Sequence, residues 1–577
     1  MLETVGPADE AVLAGWRDRI VRGRRRLGWP SDAPVVARGH GAGTVLAIAA
    51  GYDQLFTAAE LNEWAWCATL CERDPRRTAD IEAALAAAAE ESPGGFASRV
   101  PPVLDEAAAL ERLATLAREE ARPALRAVVD AAEARGLPWF LDDDTLSIGA
   151  GAGAHGAGLG ALPAPADWPW PALHDIPTAL VTGSNGKTTV VRLIAACAKA
   201  AGRRPGLSCT DGLFVDGEIL DAGDYSGPLG ARTILRDPHV EAAVLETARG
   251  GILRRGLAVR RARAAVVTNI SADHFGEYGI HDLDGLADAK LTVGHAVGAQ
   301  GLLVLNADDP TLVAKSGALA QRYGIEPHIG WFALDAERPL LREHRRRGGS
   351  TCGMHDNHLV LAHEGVGHLL GSIAGFPVTV DGRARYNVAN LAAAALAATA
   401  LGIPPAAIAA AFAAFGSRPA DNPGRMMRYE IDGVHVLVDY AHNPAGLAGV
   451  LEVARGLKHR DARLGLTLGH AGNREDADLV RVSAVAAGFR PDLVVVKETE
   501  GYLRGREPGE VPRIMRSALR AHGLAESALP VEPTEVDAAR HLLDWARPGD
   551  VVVLLIHSRD GRAAVLEMLG ARGSAGG

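Results

Sequence analysis

The chain has 577 residues, of which 48% are hydrophobic, so it is long and apolar enough to form several packed domains. Lys and Arg number 60 against 70 Asp and Glu, and the net charge of -10 excludes the basic footprint of a nucleic-acid-binding protein. Five scattered cysteines favour a reducing compartment, and the sequence shows neither a signal peptide nor an apolar run that could cross a bilayer, so we expect a cytoplasmic protein without membrane partners.

Residues 1–172 are predicted to form a mostly helical N-terminal domain that ends in a linker. The capping-box pattern Thr57-Ala58-Ala59-Glu60 predicts the start of a helix. Residues 83–90 and 107–135 carry Ala, Leu and charged residues at helical spacing, and we expect Pro123 to bend the second of these helices. From 149 to 171 first Gly and Ala and then Pro and Trp predominate, which is typical of a linker.

The stretch from 179 to 190 is predicted to bind phosphate, because a strand runs into a polar loop and the loop into a helix. The loop reads Thr182-Gly183-Ser184-Asn185-Gly186-Lys187-Thr188-Thr189. Glycines let backbone N–H groups converge on an anion at a helix N-terminus, and the lysine and the hydroxyl after it suit phosphate and Mg²⁺. Val181 stands where the common phosphate loop has its first glycine, so an ordinary glycine turn with a surface lysine is the alternative.

Residues 173–417 are predicted to form a central α/β domain with a mainly parallel sheet, since short apolar strands alternate with helices. Strands are predicted at 179–181, 242–245, 264–268, 301–305, 358–361 and 377–380, and an Ala-rich helix at 386–400. Ligands bind outside the carboxyl ends of such strands, so the polar segments there are expected to converge on one crevice. Among them, Glu246 and Asp273-His274 suit Mg²⁺, whereas Lys290, on a predicted helix, would by itself be a surface residue.

Residues 418–577 are predicted to form a second, Rossmann-like α/β domain. Its strands are predicted at 434–438, 464–468, 493–496 and 551–555. The first of these strands ends in the polar cluster Asp439-Tyr440-Ala441-His442-Asn443-Pro444, in which the proline limits the start of the next helix.

Taken in order, these motifs resemble those of the Mur ligase family, from residue 176 to about residue 565. The match begins with the phosphate loop and Glu246. It continues with Asn269-Ile270, Asp273-His274, Lys290, Asn306-Ala307-Asp308-Asp309, Tyr386-Asn387-Val388-Ala389-Asn390, Gly424-Arg425 and the cluster that begins at Asp439.

Within this family the resemblance extends to the Mur-ligase-like half of the cyanophycin synthetases. The strings that carry it are Thr210-Asp211-Gly212, Gly223-Asp224-Tyr225-Ser226-Gly227-Pro228, Arg236-Asp237-Pro238, Glu246-Thr247-Ala248-Arg249-Gly250-Gly251 and Arg504-Gly505-Arg506-Glu507-Pro508-Gly509-Glu510. Cyanophycin synthetases carry an ATP-grasp domain before this half. Here too few residues separate the similar approach at 131–136 from the phosphate loop, so we expect one amide-forming site and no ATP-grasp domain.

The resemblance implies an ATP-dependent ligase that joins a carboxylate to an amine through an acyl phosphate and releases ADP and phosphate. It implies catalytic roles for Lys187, Glu246, His274 and Lys290, the last in carbamylated form. It implies a Mg²⁺ site at Thr188, Glu246 and His274. Nucleotide-binding positions are Gly183, Ser184, Asn185, Gly186, Lys187, Thr188, Thr189, Asn387, Asn390, Arg425 and Asp439.

The expected partners are a small-molecule acid and an amino acid or amine, and self-association stays open. Substrate candidates are Arg249, His442, Asn443, Glu498, Glu500 and Arg504. The two glutamates suit a cationic amine such as arginine, although a solvated charged loop explains them equally well. Arg249, beside two glycines, suits an acidic substrate, with a structural salt bridge as the alternative.

Two other functions stay open at this point. The chain could be a catalytically silent nucleotide-binding scaffold or a subunit of a larger ligase complex, or it could be a simple P-loop ATPase or kinase. The joint presence of the catalytic set and Asp439 favours the ligase, because a scaffold has no physical need for it, and the cluster from Asp439 to Pro444 argues against the ATPase or kinase.

Overall fold

The computed structural model describes residues 1–6, 8–40, 43–90, 104–272, 275, 277–324, 326–499 and 501–575. It divides into two compact units. The first comprises Met1–Ile148, Gly156–Pro171 and Gly276–His281, and the second comprises Gly149–His155, Ala172–Phe275 and Asp282–Gly577. The second unit contains every predicted site residue that the structure describes. None of the helices in these ranges combines the length and the hydropathy of a membrane span.

The first unit is mostly helical, as predicted, but it also contains two small sheets. Its helices are α1 (Glu10–Leu27), α2 (Leu55–Arg73), α3 (Thr78–Glu90), α4 (Glu106–Glu120) and α5 (Pro123–Ala134). Its strands are β1 (Leu2–Val5), β2 (Val35–His40), β3 (Gly43–Ile48), β4 (Trp139–Leu141), β5 (Thr145–Ile148) and β6 (His155–Gly158), in the orders β1-β3-β2 and β4-β5-β6.

Two local predictions for this unit are wrong. Helix α2 begins at Leu55 rather than after Thr57, because its N-terminus is capped by a distant residue: Glu120 of α4 accepts the N–H groups of Phe56 and Thr57 at 2.7 and 2.8 Å. The predicted bend at Pro123 is a complete break, since α4 ends at Glu120 and Pro123 opens α5, where its missing N–H is not needed.

In the described part of the second unit, eleven strands form one sheet, which is mainly parallel as predicted. The strands are β7 (Thr178–Thr182), β8 (Pro205–Cys209), β9 (Gly212–Val215), β10 (Glu218–Asp221), β11 (Ala242–Glu246), β12 (Ala262–Val267), β13 (Val297–Asn306), β14 (His328–Asp335), β15 (Thr351–His355), β16 (His358–His363) and β17 (Val366–Ser372). Their order is β10-β9-β8-β11-β7-β12-β13-β14-β15-β16-β17. From β8 to β15 neighbouring strands are parallel, and antiparallel hairpins extend both ends.

We call this sheet and its helices the central domain. The helices are α6 (Lys187–Ala200), α7 (Pro228–Arg236), α8 (Arg249–Arg255), α9 (Leu283–Leu291), α10 (Pro310–Ser316), α11 (Leu319–Tyr323), α12 (Pro339–Arg346), α13 (Arg385–Ala400) and α14 (Pro405–Ala414). Helix α13 packs on α6 and across β12 to β16, and its alanines from Ala392 to Ala395 are fully buried. The strand predicted at 377–380 is wrong: Pro377–Thr379 is a 3₁₀ turn, because the Thr379 hydroxyl donates to the Ile373 and Phe376 carbonyls.

A second sheet with its helices forms the C-terminal domain. Its strands are β18 (Met427–Ile431), β19 (Val434–Asp439), β20 (Leu464–Leu468), β21 (Leu493–Lys497), β22 (Val531–Glu532) and β23 (Val551–Leu555), in the order β18-β19-β23-β20-β21-β22. Only the pair β18 and β19 is antiparallel among these described strands. The helices are α15 (Pro444–Leu457), α16 (Asp476–Gly488), α17 (Glu510–Ala521), α18 (Glu535–Trp545) and α19 (Arg559–Ala575). The boundaries predicted at 172/173 and 417/418 stay predictions.

Candidate active site

The predicted phosphate loop connects the buried strand β7 to helix α6. Gly183 and Gly186 have φ angles of 144° and 82°, a region that side chains other than glycine rarely adopt. Gly186 caps α6 without a side-chain acceptor, so the first-turn N–H groups are available to an anion. The Lys187 ammonium donates to the Ser184 carbonyl at 3.2 Å, within this turn.

The segment after β12 holds the loop in shape. Asn269 accepts the N–H of Ser184 on its carbonyl at 2.9 Å and the N–H of Asn185 on its side chain at 3.0 Å. The Thr268 hydroxyl donates to the Asn185 carbonyl at 2.5 Å. Ser271, which the sequence did not single out, exchanges hydrogen bonds with the Ser184 side chain. The loop is therefore fixed before any ligand arrives.

Gly183→Ala tests this close approach. A Cβ atom at Gly183 would lie 1.8 Å from the Thr268 hydroxyl oxygen, so the loop must shift. We expect nucleotide affinity to fall by ~10-fold or more, because backbone N–H groups would no longer converge on phosphate. Gly202→Ala is the matched control, since Gly202 also has a positive φ but meets nothing within 4 Å. Equal ADP affinity in the two variants, measured by calorimetry, would contradict the prediction.

Glu246, at the end of β11, is the centre of an oxygen cluster beside the loop. Its side chain is 1% exposed and accepts hydrogen bonds from the hydroxyls of Thr188 and Thr210, each at 2.8 Å. The carboxylate and the two hydroxyls are hard oxygen donors of the kind that Mg²⁺ prefers, so the residues present fit the ion. Thr210 was noted only as part of a family string, and its contact with Glu246 adds it to this set.

Lys290 is not a surface residue. It is 4% exposed on α9, and its ammonium donates to the Gly183 carbonyl at 2.8 Å, so it supports the loop. Its carbamylation stays a prediction. Asp273 and His274 lie outside the described residues, and among those described no group of three His, Cys, Asp or Glu side chains is arranged for a metal.

A cavity of about 380 Å³ opens beside the loop, between the central and C-terminal domains. Many predicted site residues line it: the nucleotide-binding candidates Ser184, Asn185, Gly186, Lys187, Thr188, Thr189, Asn387, Asn390, Arg425 and Asp439, the predicted metal ligand Glu246 and the substrate candidate His442. Asn387 is tied to its own domain, since its amide donates to the Val378 carbonyl at 2.8 Å and accepts from Asn390 at 2.9 Å. The contacts of these residues with a nucleotide stay predictions.

Asp439 is a buried carboxylate at the C-terminal side of the cavity. Burial raises the pKa of this carboxyl, against the opposing effects of the Arg425 guanidinium and of backbone N–H donors. The N–H groups of Met426 and Ala441 each donate to it at 2.7 Å. The Arg425 guanidinium lies 4.2 Å from the centre of the Tyr440 ring, which holds its charge near the cavity.

Several described contacts join the two domains, among them three hydrogen bonds of Asn443, Asn422 and Arg562. Asn443 donates to the Asn185 side chain at 2.9 Å, and Asn422 donates to the Thr189 hydroxyl at 3.2 Å. Arg562 of α19 donates to Asp211 of the central domain at 3.0 Å. Burial would raise the pKa of Asp211, but the guanidiniums of Arg425, Arg562 and Arg192 lower it. Asn422, Asp211 and Arg562 were not among the predicted site residues, and Asp211 was noted only within the family string Thr210-Asp211-Gly212.

The remaining substrate candidates do not line this cavity. Arg249 is buried at the start of α8. Glu498 accepts the N–H of Gly509 at 2.7 Å, and Arg504 is exposed over the Tyr502 ring. Glu500 lies outside the described residues. Asn443 also stays outside the cavity lining, but it contacts the loop directly.

A buried charge network lies at the carboxyl ends of β21 and β23. Glu535 is 2% exposed and accepts a hydrogen bond from the ammonium of Lys497, which is fully buried. It also accepts hydrogen bonds from the backbone N–H groups of His557 and Ser558, each at 2.8 Å. His557 Nε2 donates to the Ala441 carbonyl at 3.1 Å. The network therefore fixes the segment that carries His442 and Asn443.

Comparisons with known proteins agree with this architecture. Residues 181–398 match the family model "Mur ligase middle domain", and residues 424–555 match "Mur ligase, glutamate ligase domain". Cyanophycin synthetase of Nostoc sp. (strain PCC 7120) is 36% identical over 386 residues, which cover 66% of this chain and 41% of that protein. This chain thus spans less than half the length of the cyanophycin synthetases that it matches.

This chain covers a larger share of some shorter relatives. The UDP-N-acetylmuramoyl-L-alanyl-D-glutamate--2,6-diaminopimelate ligase of Gloeobacter violaceus is 31% identical over 402 residues, or 66% of this chain and 73% of that protein. Among solved structures, Escherichia coli FolC in complex with ADP, without folate substrate, matches with a TM-score of 0.51 at 19% identity over 69% of this chain and 90% of that chain. The match to FolC shows a shared fold.

Proposed function

Since this chain belongs to the Mur ligase family, we propose that it joins a carboxylate substrate to an amino acid or amine, with ATP as co-substrate. The observation that carries the proposal is the position of the Glu246 oxygen cluster. It lies beside the phosphate loop at a cavity whose other wall belongs to the C-terminal domain. A phosphoryl group bound on the loop therefore faces a space where a second substrate can be enclosed.

The reaction has two steps in this proposal. A carboxylate oxygen of the acid attacks the γ-phosphorus of ATP, the bond to ADP breaks, and an acyl phosphate forms. The ammonium group of the amine substrate then loses a proton, the neutral nitrogen attacks the acyl carbon, the bond to phosphate breaks, and the nitrogen releases a second proton to give the amide. Lys187 and the loop N–H groups neutralise charge on the transferred phosphoryl group.

Thr188, Glu246 and, by the family resemblance, His274 would hold Mg²⁺, which neutralises phosphate charge when it is bound. An acyl phosphate must be kept from water. The contacts of Asn443 with Asn185 and of Arg562 with Asp211 hold the C-terminal domain against the central domain and would help to exclude water from the intermediate. The acid and the amine are small molecules in this proposal, and the amine would enter from the C-terminal side.

A screen of phosphate release over paired acids and amines tests the proposal. We expect release with at least one pair, and Lys187→Ala should reduce it by ~100-fold or more, since the charge nearest the transferred phosphoryl group is lost. Lys199→Ala is the matched control on the same helix, because Lys199 is exposed and pairs with Asp216 at 3.0 Å. ATP binding without release from any pair would instead favour a silent nucleotide-binding scaffold.

A further inference from the structure

A two-residue turn of the central domain contacts both the oxygen cluster and the C-terminal domain. Thr210 and Asp211 form this turn, between β8 and β9. Thr210 donates twice to the Glu246 carboxylate, from its hydroxyl at 2.8 Å and from its backbone N–H at 3.3 Å. Asp211, the next residue, accepts a hydrogen bond from the Arg562 guanidinium of α19 at 3.0 Å. One short turn therefore connects a side chain of the C-terminal domain to the candidate metal site.

The Asp211 carboxylate depends on Arg562 for its hydrogen bond. Its side chain is 9% exposed, and its second oxygen has no hydrogen-bond partner in the described part of the chain. The Arg192 guanidinium of α6 lies 3.5 Å from that second oxygen and attracts it by charge, but it also lies over the Phe214 ring, 4.7 Å from its centre. Without Arg562, a buried carboxylate would keep no hydrogen bond from the described residues, which is unfavourable. We therefore expect the turn to shift when Arg562 is removed.

The Arg562 side chain reaches Asp211 along a tightly packed path. It runs directly over Gly424, where an added Cβ atom would lie 2.6 Å from the Arg562 Cδ atom and 2.7 Å from its Nη1 atom. The side chain itself is 14% exposed, so it has little freedom to bind elsewhere. Because Arg562 and Asp211 belong to different domains, their hydrogen bond forms only when the C-terminal domain lies against the central domain.

We propose that Arg562 is a positioning residue: through Asp211 it holds Thr210 on Glu246, and so it sets the arrangement of oxygens that receives Mg²⁺. This role rests on the proposed function, because it assigns the oxygen cluster to the metal that accompanies ATP. The metal site is then complete only when the C-terminal domain is in place. Phosphoryl transfer is thereby confined to the arrangement in which the acyl phosphate is sheltered from water.

The charge of Arg562 by itself would have the opposite effect. A guanidinium near the metal site repels Mg²⁺, and it also neutralises Asp211. If Arg562 acted only by its charge, its removal would therefore strengthen Mg²⁺ binding. Removal of a positioning contact weakens Mg²⁺ binding instead, because Thr210 is no longer held on Glu246. The direction of the change in Mg²⁺ affinity therefore separates the two explanations.

The test is calorimetric binding of ADP to the full chain with and without Mg²⁺, in the absence of acid and amine. The factor by which Mg²⁺ strengthens ADP binding is the magnesium gain. We expect Arg562→Met to lower the magnesium gain ~5- to 10-fold, which corresponds to about one hydrogen bond, and Arg562→Lys, which keeps a donor, to recover part of it. Arg572→Met is the matched control on the same helix, because Arg572 donates to Asp544 of its own domain at 2.6 Å. Its magnesium gain should equal that of wild type.

A double-mutant cycle tests whether Arg562 acts through Thr210. Thr210→Val removes the hydroxyl that donates to Glu246 and should itself lower the magnesium gain. In that background Arg562→Met should cause little further loss, because the two residues act as one unit. Losses that multiply would show that Arg562 acts by another route and would overturn the inference.

A magnesium gain that is unchanged or raised in Arg562→Met overturns the inference too. General damage to the site gives this result, since it weakens ADP binding equally with and without Mg²⁺. Wild type that shows no magnesium gain overturns both the inference and the assignment of the metal to the oxygen cluster. Wild type that shows the gain but releases phosphate from no pair of acid and amine contradicts the proposed function alone.

Discussion

Glu246→Gln is expected to lower substrate-dependent phosphate release by ~100-fold or more while the protein stays folded. The reason is the position of Glu246: it is a buried carboxylate between the Thr188 and Thr210 hydroxyls, at the end of the strand beside the phosphate loop. Glutamine keeps the size and one acceptor of the side chain but removes the charge that Mg²⁺ requires. The measurements are phosphate release at saturating ATP and the Mg²⁺ concentration that gives half-maximal activity.

Glu241→Gln is the matched control, five positions earlier in the chain, where the side chain is partly exposed and pairs with Arg204 at 3.2 Å. We expect it to leave both measurements unchanged. If Glu246→Gln retained wild-type activity with the same Mg²⁺ requirement, the oxygen cluster would not be the metal site. A loss of activity that more Mg²⁺ partly restores would support metal binding most directly.

Lys497→Met is expected to destabilise the C-terminal domain by about 3–5 kcal/mol at neutral pH, because it leaves the Glu535 carboxylate buried without its cation. Burial would raise the pKa of Glu535, but Lys497 and His557 lower it to about 2. In wild type, ionised Glu535 therefore contributes stability that is complete above its ordinary pKa near 4.5 and is lost as pH falls towards 2.

In the variant the pKa of Glu535 is expected to shift in the opposite direction. Without Lys497, burial raises the pKa of Glu535, so the carboxyl takes up a proton as pH falls and the destabilisation relative to wild type shrinks. Urea denaturation at pH 7 and pH 5 measures this difference. Lys199→Met, at an exposed ion pair, should cost less than ~1 kcal/mol. The double variant with Glu535→Gln should recover most of the loss; no recovery would show that packing, not charge, is responsible.

The parts that the sequence predicted correctly are those with strong local patterns. Strands β7, β11 and β12 lie within two residues of their predicted positions, because each is a short apolar run between polar ends. The loop between β7 and α6 was located for the same reason, since its glycines, lysine and threonines lie close together in the sequence, and its binding of phosphate stays a prediction. A few neighbouring residues are therefore enough to indicate a buried parallel strand and the loop that follows it.

What the sequence did not predict depends on contacts between distant residues. Arg562 and Asp211 are 351 positions apart, and the caps that Glu120 gives to α2 come from another helix. No spacing rule connects such residues. Strand β10 was missed because all its residues are exposed, so it lacks the alternation that marks a half-buried strand. Asn422 stands between Asp421 and Pro423-Gly424, a combination that is typical of an ordinary turn.

The alanine-rich part of α13, from Ala392 to Ala398, limits which substitutions this protein can accept. Asn387 and Asn390 occupy the first turns of a helix whose next residues are almost all alanine and fully buried between α6 and the sheet. Each added methylene there would cost about 1–3 kcal/mol in strain, so drift in this helix is strongly restricted. Substitutions that change this protein's properties are therefore expected in exposed loops rather than in the body of α13, and the positions of Asn387 and Asn390 should stay as they are.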